Sequence, residues 1–268
     1  MNPYTIPDKD AEYWRLPQLI DILSESMDLF ANEVKKYHAE RNYRHVLFVG
    51  YNKAILTMKE IITLLNAGYP DGALARARNV YEQMCVMMFL EKRKNDGEFS
   101  DLIERYNADL YIRYYSNMIL WHTYFQQEEH RKRCQNEMDQ LLAQYRSGKK
   151  DPKYKPYWWA GKNSFNELSN EVDMQLMKIL YNRACLATHA GAMGDFALLG
   201  RGENLEGNLL DSTETSKGFS VPLLLGFGSF AVLSQIVFSN LEIEAEKLWL
   251  LMEALIRYYQ QEFAKEAQ

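Results

Sequence analysis

Apolar positions recur at three- and four-residue intervals along nearly the whole chain, the spacing of one helix face, and almost nowhere alternate as in a half-buried strand. Behind Pro17, a residue tolerated in a first helical turn, Leu19, Ile22, Leu23, Met27, Phe30, Val34 and Tyr37 mark a first long helix. A second is predicted from about His45 to Ala67, with Gly68 as its stop. Tyr69-Pro70-Asp71-Gly72 opens a third, whose Ala73, Ala77, Val80, Met84 and Met87 share one side until Asn95-Asp96-Gly97 ends it. From Ser100, read as an N-cap, helical pattern continues to about Arg146 without proline or glycine, as one extended helix or two stacked ones. Residues 147–163 read as a loop. Helical pattern resumes at Asn163, and Asp173 to Ala190 reads as a helix closed by Gly191. Residues 191–220, rich in Gly, Ser, Thr and Asn, form a second loop, and a last helical region runs from Pro222 towards Phe263. The pattern therefore predicts an all-α protein, a single multi-helix bundle with long antiparallel helices occupying residues 1–268 as one domain.

One segment carries a second possibility. Phe219 to Phe238 holds no charge over twenty residues, about the length that spans a bilayer. Pro222, Gly226, Gly228, Ser229, Ser234 and Gln235 interrupt it, no Lys/Arg asymmetry flanks it, and an acidic amphipathic stretch follows directly. We read it as a central bundle helix, apolar all round because neighbours surround it, with Gly226 and Gly228 at a close helix contact; no membrane is expected.

Composition narrows the compartment and the chemistry. Cys85, Cys134 and Cys185 are an odd count without paired spacing, which argues against a disulfide framework or a structural zinc. The first residues lack the basic start and apolar run of a signal peptide, so a cytoplasmic location is expected. A net charge of −5 is mild and speaks against a surface that coats nucleic acid throughout, while leaving room for a local basic patch. Neither a P-loop, a dinucleotide fingerprint, H-E-x-x-H nor a nucleophile elbow occurs, and no cofactor is expected.

Three constellations remain as candidate chemistry. Leu180 to Ala192 holds Asn182, Arg183 and His189. A neutral imidazole can take the proton of an RNA 2′-hydroxyl while a guanidinium neutralises charge growing on the phosphorus oxygens. On a regular helix, however, Arg183 and His189 point about 120° apart, so only a helix break or a partner subunit brings them together. A histidine at an alanine- and glycine-rich helix end also serves as an ordinary structural residue. Arg78 and Glu82 lie four apart on one helix face; they make a simple ion pair if exposed, and a costly pair that needs another reason if buried, where Glu82 could orient an active-site group. The third is a lysine-rich loop, Lys149, Lys150, Lys153, Lys155 and Lys162 interleaved with Tyr154, Tyr157, Trp158 and Trp159. That is the make-up of a single-strand contact surface, or of a solvated loop anchored by two buried tryptophans.

These stretches resemble a large uncharacterised bacterial family whose members carry R-s-l-x-E in an early helix, then W-x-G-K-s, and later Y-x-x-x-S-x-x-x-H. The matching positions are Arg78, Glu82, Trp159, Gly161, Lys162, Tyr181 and His189, with Cys185 where the family has serine; the likeness covers about residues 45–240. The Arg-x-x-x-x-x-His spacing is also similar to the HEPN superfamily, helical bundles that dimerise and cut RNA from a composite cleft, although Ala184 follows the arginine where a polar residue is usual. The resemblance implies a HEPN-like core over about 45–265 behind an N-terminal helical extension. It further implies a homodimer acting as a metal-independent ribonuclease or RNA-binding effector in stress response or phage defence. His189 would be the base, Arg183 the phosphate stabiliser and Glu82 the orienting group, with Arg78, Lys162, Trp159, Tyr181 and Asn182 contributing to binding. The alternative is a helical interaction or small-molecule-binding module without catalysis.

Overall fold

The structure, a computed structural model, describes Ile6 and residues 8–36, 42–145, 156–188 and 218–266. Among these residues it contains ten α-helices, one 3-10 turn and no β-strand, so the protein is an all-α helical bundle. The helices are α1 (Asp8–Tyr13), α2 (Leu16–Val34), α3 (Tyr43–Asn66), α4 (Pro70–Glu91) and α5 (Phe99–Tyr124). They continue as α6 (Glu128–Tyr145), α7 (Phe165–Asn170), α8 (Gln175–Thr188), α9 (Ser220–Leu241) and α10 (Glu246–Glu266). The described residues divide into two compact units, one drawn from 1–38, 47–88 and 174–268, the other from 39–46 and 89–173.

The first unit is organised around α9. Its residues from Ser220 to Ala231 are all buried, which is why the segment has no polar face to show in the sequence. By length and composition α9 could cross a membrane, with a mean hydropathy of 1.9 in its most apolar window, yet 78% of that window is buried inside the protein. Its glycines sit where helices approach closely: a Cβ on Gly226 would lie 3.3 Å from Ala77 Cβ on α4, and one on Gly228 would lie 2.9 Å from Met177 Cε on α8. Tyr51 of α3 is fully buried, stacks on Phe230 at 5.5 Å and shares a 2.8 Å hydrogen bond with Ser234, so the hydroxyls of these two residues satisfy each other. Burial pushes the Tyr51 phenol well above its ordinary pKa. On the far side, Tyr259 of α10 donates to Trp14 O at 3.1 Å and Trp14 packs on Phe219, which fixes the N-terminal helices to α9 and α10.

Helix limits follow local chemistry. Gly68, at φ 76°, ends α3, and Pro70 opens α4 two residues later. The uninterrupted helical pattern from Ser100 fits one helix or two; the chain forms two, α5 and α6, because it reverses at Phe125–Gln127, where Gln126 adopts φ 55°. A similar break divides the last helical region, with Glu242 at φ 57° between α9 and α10. Helix α5 begins at Phe99, so Ser100 lies inside its first turn and is not the cap.

In the second unit α5 and α6 pair as an antiparallel hairpin. Trp158 and Trp159 form the 3-10 turn beside the base of α5, both buried. Trp158 Nε1 donates to Asp109 at 2.7 Å, and Asp109 also accepts from Arg113 Nε at 2.7 Å. Burial raises the Asp109 pKa above the ordinary carboxylate value, against the lowering effect of Arg113 and Trp158.

Candidate functional site

Helix α4 presents Arg78, Tyr81, Glu82 and Cys85, spaced three and four apart, on the face that meets α8. Arg78 Nε donates to Glu82 Oε1 at 2.8 Å, and the Tyr181 hydroxyl of α8 donates to the same oxygen at 3.0 Å. The Arg78 guanidinium lies over the Tyr181 ring, 5.6 Å from its centroid, and the rings of Tyr81 and Tyr181 meet at 4.9 Å. Tyr181 also hydrogen-bonds Cys185, one turn further along α8. The side chains of Arg78 and Glu82 are 27% and 30% exposed, so the pair is neither a solvated surface bridge nor sealed in the core.

The environment sets the proton states. Burial works to lower the Arg78 pKa, but the hydrogen bond and charge of Glu82 outweigh it, and the guanidinium is held above its ordinary value. Burial, then Cys185 and Glu82, push the Tyr181 phenol far up, so it remains a proton donor through the neutral range. Burial drives Cys85 up to about 12, against a hydrogen bond from Tyr81. The cluster is thus a fixed cation, a carboxylate with two donors on one oxygen, and a phenol that keeps its proton.

Of the residues singled out from the sequence, the fold brings Arg78, Glu82 and Tyr181 together. Asn182 and Arg183 are exposed, and Arg183 stands about 200° around α8 from Tyr181. The same outward face carries Leu176 and Ile179, the latter 64% exposed. His189 lies outside the described residues, as do Lys149, Lys150, Lys153 and Lys155. Trp159 and Lys162 belong to the second unit, where both are engaged within the fold. Trp159 is 2% exposed and meets Phe89 and Tyr106 edge-on, and Lys162 and Arg93 both pair with Glu171. Gly161 at φ 70° turns the chain after Trp159, and Tyr157 and Lys162 form an antiparallel bridge across that turn. The W-x-G-K pattern therefore has a structural reason at each of its positions. Beside this turn is a cavity of about 200 Å³, its lining including Arg93, Phe99, Arg105 and Gly161.

Tyr81, Cys85 and Lys178 also belong to the cluster by contact or by charge, with Lys178 near enough to lower the Cys85 pKa. Their signal was helical spacing: Tyr81 and Cys85 fall three and seven after Arg78, and Lys178 falls three before Tyr181. Among the described residues no group of three or more His, Cys, Asp or Glu side chains could hold a metal ion.

Fold and site together define an all-α bundle carrying a half-buried Arg–Glu–Tyr cluster between two of its helices. The chain belongs to the family of unknown function DUF5677, whose model matches residues 44–204, a span that includes every residue of this cluster. No curated protein and no solved structure matches the chain.

Proposed function

We propose that the protein is a HEPN-like, metal-independent ribonuclease or RNA-binding effector whose site is built on α4 and the C-terminal part of α8. The observation that carries this reading is the Glu82 carboxylate, which accepts from both Arg78 and Tyr181 in a half-buried position where such a group needs a reason beyond stability. Tyr181, Cys185 and His189 follow one another at four-residue spacing, so the sequence leads from this network to the imidazole proposed as base. Arg183, exposed on the opposite face, is the group proposed to stabilise charge on the phosphate. A homodimer belongs to the reading, because Arg183 and Tyr181 face opposite sides of α8 and a second copy can supply its own arginine to a shared cleft.

In the reaction proposed, His189 takes the proton of a 2′-hydroxyl, the oxygen attacks the adjacent phosphorus, and the 5′-oxygen leaves with a proton. The products are a 2′,3′-cyclic phosphate and a 5′-hydroxyl. Incubating the purified protein and its His189→Ala and Arg183→Ala variants with RNA tests this. Each substitution should reduce cleavage by about 10² to 10⁴, leave helicity and melting temperature nearly unchanged, and EDTA should not stop the wild type. Equal cleavage by wild type and His189→Ala, or no RNA binding or cleavage by wild type at high concentration, would refute the proposal.

A further inference from the structure

Helix α5 is covered by α6 along one side only. On an adjacent face Leu110, Tyr114, Asn117, Trp121 and Tyr124 follow one another at steps of four, three, four and three, the 3.5-residue repeat of a coiled-coil seam. All five are exposed, the four apolar ones by 45%, 55%, 58% and 80%, and Leu120 and Phe125 extend the same surface. The rings are already gathered: Trp121 and Phe125 lie 4.6 Å apart, and Tyr124 and Phe125 5.0 Å apart. Isolated exposed apolar side chains are ordinary, but a continuous aromatic seam in register with a helix is the mark of a surface that is covered.

We propose that a second copy of this chain covers it, with α5 packing antiparallel on α5 about a two-fold axis through Asn117. The seam is its own complement. Leu110 and Tyr124 lie seven residues either side of Asn117, and Tyr114 and Trp121 lie three before and four after it. Antiparallel pairing therefore sets Leu110 against Tyr124, Tyr114 against Trp121, and Asn117 against itself. An amide carries both donor and acceptor and so pairs with its own copy, and one polar residue in a seam fixes register. A parallel pairing would instead stack Trp121 on Trp121 and Tyr124 on Tyr124 and align the two helix dipoles. Four aromatic and two leucine side chains, each about half exposed or more, offer on the order of 800 Å² per copy, the size of a standard stable interface. Two hairpins joined in this way make a four-helix bundle. The inference stands whether or not the chain acts on RNA.

Sedimentation equilibrium of the full chain should give a dimer at micromolar concentration, and Trp121→Glu, which places a charge in the seam twice per dimer, should raise the dissociation constant at least about 100-fold. Oxidation of probes with one accessible cysteine, made with Cys134→Ser and Cys185→Ser and keeping the buried Cys85, then reads the geometry without relying on that variant. Asn117→Cys should form a disulfide-linked dimer on the two-fold axis, and Tyr114→Cys, displaced from the axis, should not. A monomeric wild type with no cross-link at Asn117→Cys overturns the proposal. So does a dimer that neither Trp121→Glu nor the cross-link touches, which would use another surface. Cross-linking at both positions overturns the antiparallel arrangement.

Discussion

Replacing Gly226 by alanine is expected to destabilise the protein, although the same change in an open helix stabilises. Gly226 lies mid-helix in α9, and an added Cβ would stand 3.0 Å from Ile61 Cδ1, 3.3 Å from Ala77 Cβ and 3.6 Å from Ala77 Cα. Two opposed effects decide the sign. Alanine in place of glycine favours the helix by about 0.5–1 kcal/mol. Against this, a methyl forced into a packed contact costs about 1–3 kcal/mol unless the neighbours can give way. Ile61 is fully buried, and the Ala77 atoms are fixed to the α4 backbone, so relief requires moving one helix away from another. The net expectation is a loss of about 0.5–2 kcal/mol, or a melting temperature lower by about 2–6 °C for a chain of this size. Gly72→Ala is the control, since its Cβ would meet only Leu64 methyls at 3.4–3.5 Å, an ordinary contact, and it should match or exceed the wild type. Thermal and urea unfolding of both variants, followed by circular dichroism, make the comparison. If Gly226→Ala were as stable as Gly72→Ala, the close approach of α9 and α4 would be wrong.

Three further expectations concern the polar groups. Tyr181→Phe removes one hydrogen bond to a half-buried carboxylate and should cost about 1 kcal/mol, whereas Glu82→Ala takes the shared acceptor from both Arg78 and Tyr181 and should cost about twice as much or more; equal effects in urea unfolding would contradict the shared oxygen. Burial raises the Cys85 pKa to about 12 and keeps the thiol protonated at pH 8, so iodoacetamide should label half-exposed Cys134 well before Cys85, and peptide mapping showing the reverse would contradict its burial. Because burial raises the folded-state pKa of Asp109, the protonated acid is the form the fold favours. Its stabilising effect is present below the unfolded pKa and is lost as pH rises through the folded one. Asp109→Asn, which keeps an acceptor for Trp158, should therefore gain on the wild type between pH 4 and pH 7, and a variant that instead falls further behind over that range would reverse the sign argued here.

The helices with regular apolar spacing were readable from the chain because burial and period coincide, and α9 most of all, since a helix enclosed on every side shows as an uninterrupted apolar run. Gly68 marked its boundary for an equally local reason, its left-handed φ. The breaks at Gln126 and Glu242 left no such mark. Both residues take a left-handed conformation without being glycine, held there by the packing of the helices they join, so propensity alone runs straight through them. The short helix α1, only six residues with none buried, has no apolar stripe to reveal it. Within the site, the Arg78–Glu82 pair followed from spacing. The Tyr181 contact did not, because it joins side chains 99 positions apart and depends on α4 and α8 packing side by side. That Arg183 turns away from Tyr181 follows from helix geometry alone.

The position of α9 along the chain imposes an order of assembly. Its neighbours α2, α3, α4 and α8 are all made before it, and α10 after it. Until residues 220–241 are made, the surfaces of Tyr51, Ile61 and Ala77 that α9 covers in the finished fold lack that cover. Contacts of such long sequence separation form late and slowly. A chain ending before residue 220 would leave that apolar surface exposed, prone to association and a substrate for chaperones and proteases.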